Sequence, residues 1–267
     1  MTISEYKNRL ESYIGTCSVP ADFHEFWEKK MLRTPASVCV EAVPFTNPVA
    51  IYETISITVD KAAVKARCIR PAREGSHPLV LMFHDLSRGV RGWHHMTRFI
   101  AQGYGVLALD TAICSDEWKH DPPAIGFERF ITEALILTAY ARKQDWVDTK
   151  RIVTWGEGLG GGLSIAAAAL IPEDVRCCAL NPMPADLASL CSAPSPTLAY
   201  CDICAFAPYV TGKALIGVCL MDTVAPPEGQ YAVYNRMRCE KKMKVYPKYI
   251  HERVNAFENE LLAFLHN

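Results

Sequence analysis

The chain has 267 residues, half of them apolar, and a formal net charge of −1. That is enough apolar material for one large core, and one domain over residues 1–267 is expected. The balanced charge and the lack of a long basic run exclude the electrostatic footprint of a nucleic-acid partner and favour a small-molecule substrate. The first residues, MTISEYKNRLESY, lack the apolar region of an export signal, and no apolar stretch reaches the roughly 18 residues that span a bilayer, so a soluble cytoplasmic protein without membrane attachment is expected. The 11 cysteines are odd in number, which without an export signal fits reduced thiols. Cys201 and Cys204 form a CxxC with no second pair at zinc spacing, so no metal or other cofactor is expected.

In chain order, residues 1–35 are polar and helical, with Phe23, Phe26, Trp27 and Met31 at helical spacing, and form an N-terminal helical extension packed on the body. Two β-rich runs, 50–58 and 63–70, flank Asp60-Lys61 and predict an antiparallel hairpin at the sheet edge. Residues 79–83 predict a buried strand, followed by a loop at 84–92, a helix through Ala101, and a strand at 106–109. His94 and His95 read as the solvated start of that helix, with the mouth of a pocket as the alternative. Residues 111–126 lose any period; 127–143 predict a helix. Further strands are predicted at 152–155, 175–180, 215–220 and 242–246, and further helices at 163–170, 230–237 and 253–265, with a Pro- and Ser-rich connection over 181–205. Strands alternating with helices imply a mostly parallel sheet covered on both faces.

The run RIVTWGEGLGGGLSIAAAAL, residues 151–170, organises the rest. A β-branched strand, a glycine cluster and a small-residue helix make the strand–turn–helix of a nucleophile elbow, whose strained turn tolerates only small neighbours. The elbow pattern is G-x-S-x-G; here it is Gly156-Glu157-Gly158-Leu159-Gly160, with glycine in the nucleophile's place. Asp222, after the strand LIGVCL, and His251, after MKVYP, follow in the order acid then histidine that an α/β-hydrolase triad requires.

On these and further runs the chain resembles the acetyl xylan esterase and cephalosporin C deacetylase family of α/β-hydrolases. DFHEFW, LMFHD, GWHHM with FIAQGYGVLALD, GGGLSIAAAAL, GVCLMDTVAPP, YAVYNR and VYPKYIHE carry the resemblance over nearly the whole chain. It implies an α/β-hydrolase fold, deacetylation of acetylated sugars and small acetyl esters through Ser, Asp and His without metal, and a homo-oligomer. Carried over by position, Asp222 is the acid, His251 the base, and Gly158 stands at the serine. Leu159 replaces the family's glutamine after the serine, and its backbone N–H is an oxyanion-hole candidate; the loop through Asp85 and Leu86 would supply the second donor. Asp85 stands where the family's FHG has glycine, Ile250 replaces the glycine before the histidine, and Thr111 to Lys119 replace an arginine- and glycine-rich stretch. A carboxylate at 85 facing the site from about 4 Å would oppose a developing oxyanion by on the order of 4 kcal/mol at an effective dielectric near 20; pointing to solvent, it would not.

An engineered Ser→Gly replacement does not account for the changes at 85, 159 and 250. Ser87 and Ser164 are the nearby hydroxyls, one on another loop and one inside the helix; Glu157 would need Trp155 and Leu159 as its small neighbours. The functional expectation is therefore an acetyl xylan esterase homologue impaired in acetyl-ester hydrolysis that binds a small acyl ester or acetylated carbohydrate. Two alternatives stand beside it: a carboxylesterase using an atypical nucleophile or a water activated by His251, and a non-enzymatic partner-binding protein on the hydrolase scaffold.

Overall fold

All eight of the predicted apolar and β-rich runs become strands of one mixed sheet, with order β1-β2-β3-β5-β4-β6-β7-β8-β9 among the described residues. The strands are β1 Ser37–Ala42, β2 Ala50–Val59, β3 Ala62–Pro71, β4 His77–Phe83, β5 Gly105–Leu109, β6 Val147–Glu157, β7 Arg176–Leu180, β8 Ala214–Cys219 and β9 Lys241–Tyr246. This computed structural model describes residues 3–86, 88–110, 126–171, 175–190 and 196–266. Ser87, residues 111–125 with the replaced stretch, Glu173-Asp174, and Cys114 and Cys191 lie outside the described residues.

From β5 to β9 all pairings are parallel. Every residue of β4, β5 and β8 is buried. Strands covered on both faces have no polar face to show, which is why these runs read as unbroken apolar stretches. One face packs α3 Trp93–Ile100 and the last helix, α7 Asn255–Phe264, through Met96, Phe99, Phe257 and Leu261. The other packs α1 Ile3–Ser12, α2 Phe23–Met31, α4 Phe127–Ala141, α5 Leu159–Leu170 and α6 Pro227–Arg236. Three single-turn helices, Leu187–Leu190, Leu198–Cys201 and Ile203–Phe206, occupy the expected irregular connection. No described helix is long and apolar enough to cross a membrane. Cys201 and Cys204 are separate buried thiols.

The hairpin forms as expected, β2 and β3 meeting through Asp60 (φ 48°) and Lys61 (φ 68°), the positive-φ pair of a two-residue turn. It is not the sheet edge. That place belongs to β1, which the sequence reading passed over; its six residues are all exposed, Val38 and Val40 at 44% and 46%. With neither face buried, β1 carries no alternation of burial for a pattern to report. The elbow helix also starts four residues earlier than expected. Glycines 160 to 162 lie in its first turn because backbone crowds them: a Cβ at Gly160 would sit 2.3 Å from the Phe83 carbonyl oxygen.

The N-terminal extension is two helices clamped to the body. Leu10, Phe23 and Trp27 are fully buried. Asp186 accepts from Tyr13 Oη (2.5 Å), Thr16 N (2.6 Å) and Thr16 Oγ1 (2.9 Å), while the Arg236 guanidinium donates to the carbonyls of Ile14 (2.6 Å) and Cys17 (2.7 Å).

Candidate active site

β6 runs into Gly158, and α5 leaves it, so this residue caps a strand and begins a helix in a single step. Its φ of 54° and ψ of −122° are the sharp turn of an elbow, open to glycine and costly for other residues. The turn is pinned by backbone: Gly158 N–H donates to the Leu180 carbonyl at 2.9 Å, and its own carbonyl accepts from Gly162 N and Met183 N, both at 3.1 Å.

Four elements deliver the other candidates to this point. Asp85 and Leu86 follow β4, Leu159 opens α5, Asp222 follows β8, and His251 follows β9. All six residues singled out in the sequence meet. Asp222 Oδ1 accepts from the N–H groups of Val224 (2.9 Å) and Ala225 (2.8 Å), which orients Oδ2 onto His251 Nδ1 at 2.8 Å. His251 Nε2 then points at 2.9 Å to Asp85 Oδ2. The other Asp85 oxygen, Oδ1, accepts from Leu159 N at 3.0 Å and Leu86 N at 2.8 Å. Two backbone N–H groups converging on one buried oxygen is the geometry of an oxyanion hole. Here its occupant is the protein's own carboxylate, 3% exposed.

The same carboxylate fills the space that a side chain at 158 would enter. A Cβ built on Gly158 lies 2.0 Å from Asp85 Oδ1, 2.4 Å from its Cγ and 2.8 Å from Oδ2. Of the two orientations left open for Asp85 by the sequence, the buried one holds, and it is closer than a facing charge at 4 Å: it sits inside the hole. Sequence reasoning missed this coupling. The signal for it was a side chain lost at 158 and one gained at 85, two positions that the elbow and the β4 loop bring into contact.

The electrostatics follow from the chain of contacts. Both His251 nitrogens face carboxylate oxygens, and only the imidazolium can donate to both. Burial works against that charge, yet the hydrogen bonds and charges of Asp222 and Asp85 outweigh it and raise the His251 pKa to about 9. Burial would likewise raise Asp85, but His251 and the amides of Leu159 and Leu86 hold it below the usual carboxylate range.

The remaining candidates fall elsewhere. Ser164 Oγ donates to the Cys178 carbonyl at 3.1 Å inside the core, and Glu157 is buried against Arg91 at 2.5 Å and Arg88 at 3.5 Å. Arg91 also reaches Glu258 at 2.7 Å, which Arg98 meets at 2.5 Å. Ile250, before the histidine, is 53% exposed. His84 is buried with Nδ1 2.9 Å from the Asp85 carbonyl. His94 is exposed and His95 partly buried, and both line a cavity beside Asp85, the pocket mouth that was the alternative for this pair.

The sequence profile of the acetyl xylan esterase (AXE1) family matches residues 1–123, 118–191 and 195–267. The chain belongs to the acetyl xylan esterase family. Two solved structures of family enzymes share the fold: acetyl xylan esterase 1 from Thermoanaerobacterium sp. JW/SL YS485, with a TM-score of 0.85 at 24% identity over 99% of this chain and 98% of that one, and the acetyl xylan esterase from Paenibacillus sp. R4, also 0.85, at 20% identity over 100% and 99%. The acetyl esterase Axe7A of Xylanibacter ruminicola is 23% identical over 274 residues, and the quorum-quenching protein AidA of Acinetobacter baumannii is 31% identical over 119. The matches span 85% and 43% of this chain but 62% and 39% of those two proteins, less than two thirds of either. The chain therefore carries the α/β-hydrolase fold of an ester-hydrolase family.

Proposed function

We propose that this acetyl xylan esterase homologue acts as a single α/β-hydrolase domain that does not hydrolyse acetyl esters at neutral pH, Asp85 having taken the place of both the reacting side chain and the oxyanion. Asp222 and His251 are the acid and base positions of the family triad, Gly158 the vacated nucleophile position, and Leu159 with Leu86 the oxyanion donors. One observation carries the reading: Asp85 Oδ1 lies 3.0 Å from Leu159 N and 2.8 Å from Leu86 N, while Oδ2 lies 2.9 Å from His251 Nε2. An ester carbonyl cannot use donors that already hold an anion.

The route through a His251-activated water is disfavoured by the same contacts. A general base must be unprotonated, and His251 with a pKa near 9 is charged at neutral pH. Binding of an acetylated sugar or acyl ester through the oxyanion hole is disfavoured too, so any ligand of this family member uses another part of its surface.

The test compares hydrolysis of 4-nitrophenyl acetate and acetylated xylose by the wild type and by His251→Ala near pH 7. Equal background rates are expected. Wild-type turnover that His251→Ala abolishes overturns the proposal, because it requires the imidazole to work as a base.

A further inference from the structure

Beside Asp85, residues of the loop after β4 and of the C-terminal ends of β4, β5 and β6 line a cavity of about 260 Å³. Its apolar lining includes three side chains in register on adjacent strands, Met82, Ala108 and Trp155, all on the face that carries α3. Its polar lining holds three guanidinium groups, Arg88 and Arg91 from the loop and Arg253 from the segment after His251, with His94 and His95 beside them and two carboxylates, Asp85 and Glu157.

The charges around it do not cancel among themselves. Glu157 and Glu258 face four guanidinium groups, those of Arg88, Arg91, Arg98 and Arg253. Arg91 and Arg98 are taken up by short ion pairs, and Arg88 spends one nitrogen on the His251 carbonyl at 3.0 Å. Arg253 takes part in no ion pair among the described residues, and its Nε is buried without a hydrogen-bond partner, as are Arg98 Nε and, on the acid side, Glu157 Oε1. The Asp85 carboxylate is engaged elsewhere: Oδ2 meets His251, and Oδ1 accepts from the amides of Leu159 and Leu86. His95 registers the imbalance: burial first, and then Arg91, Arg253, His94 and Arg98, push its pKa below the ordinary histidine value. A buried donor without an acceptor is a debt that a ligand can settle.

We propose that this cavity is a binding site for a small organic carboxylate, its carboxylate group received by Arg253 and Arg88 and its apolar body laid on Met82, Ala108 and Trp155. An uncharged ligand would leave the Arg253 charge without a counterion, and an inorganic oxyanion would leave the apolar wall uncovered. The inference does not depend on whether the elbow is active, since none of Gly158, Asp222 and His251 lines the cavity.

The experiment is calorimetric titration of the full chain with butyrate, benzoate and inorganic phosphate, using wild type, Arg253→Gln, Arg88→Gln and His251→Ala. Butyrate or benzoate should bind saturably at one site, at least tenfold more tightly to wild type than to Arg253→Gln, with Arg88→Gln weakened in the same sense. Imidazole NMR should show the His95 titration moving upward when the ligand is bound, because an anion offsets the neighbouring guanidinium groups. The proposal falls if neither carboxylate saturates, if Arg253→Gln binds as well as wild type, or if phosphate binds and the carboxylates do not. Binding lost in His251→Ala but kept in Arg253→Gln would place the anion at the elbow and also overturn it.

Discussion

Restoring the serine alone should fail, and the failure can be sized. In Gly158→Ser the new Cβ meets Asp85 Oδ1 at 2.0 Å, so the carboxylate must leave. Leaving breaks its bonds to Leu159 N and Leu86 N. Hydrogen bonds to a charged group are worth about 1.5–3 kcal/mol each, and a side chain at a φ of 54° adds roughly 1–3 kcal/mol of strain. Allowing the displaced carboxylate to recover part of this in water, the single change should destabilise by on the order of 3–5 kcal/mol, a fall in Tm of about 10 °C for a chain of this size. Asp85→Gly empties the hole without supplying a nucleophile and should be silent toward 4-nitrophenyl acetate. The double variant Asp85→Gly/Gly158→Ser removes the clash and supplies both the hydroxyl and two free amide donors. It should be more stable than the sum of the single changes by at least about 2 kcal/mol, the coupling expected of residues in contact, and it should be the variant that gains His251-dependent acetate hydrolysis. Unfolding curves of the four proteins together with their hydrolysis rates check this. Stabilities that add to within about 0.5 kcal/mol, or a Gly158→Ser protein as active as the double variant, would refute the claim that Asp85 blocks the elbow.

Three further outcomes are expected. The His251 pKa, near 9 when folded against an ordinary 6.5, is raised, so its contribution of about 3 kcal/mol is complete below pH 6.5 and is lost as pH rises through 9; urea titrations from pH 6 to 10 should show that decline, and His251→Gln should flatten it. Asp85→Asn keeps an acceptor for the two amides but removes one of the two charges on His251, so the imidazole should titrate lower than in the wild type by NMR. Asp186→Ala removes the acceptor for Tyr13 and Thr16 and should cost about 3 kcal/mol, with limited proteolysis cutting first within residues 3–22, the stretch those bonds clamp.

Much of this molecule was legible in the sequence because burial and pattern coincide. β4 and β8 are buried throughout and read as unbroken apolar runs; the α4 run was assigned within two residues of its observed end. What escaped was structure that hydrophobicity does not mark. β1 pairs only through its backbone, and the first turn of α5 is glycine because of a neighbouring carbonyl, a tertiary fact. The site was legible as a set of positions: Gly158, Asp85, Leu86, Leu159, Asp222 and His251 were each singled out and do converge. Their relation was not, since a sequence lists a missing serine and an added aspartate 73 residues apart as two separate losses.

In the folded chain those two changes make one arrangement. An elbow that keeps its serine has no volume for a carboxylate at 85, and an aspartate at 85 without the gap at 158 has nowhere to put its charge except against that side chain. Once both are present, the carboxylate satisfies two amide donors and an imidazolium that would otherwise compete for water in a buried pocket, and each satisfied group removes a penalty of about 1–3 kcal/mol. The imidazolium in turn gives Asp222 the partner that it would have in a working triad. On the proposed function, the geometry of an ester hydrolase is thereby preserved by stability rather than by turnover. A substitution at any one of Asp85, Asp222 or His251 should accordingly weaken folding.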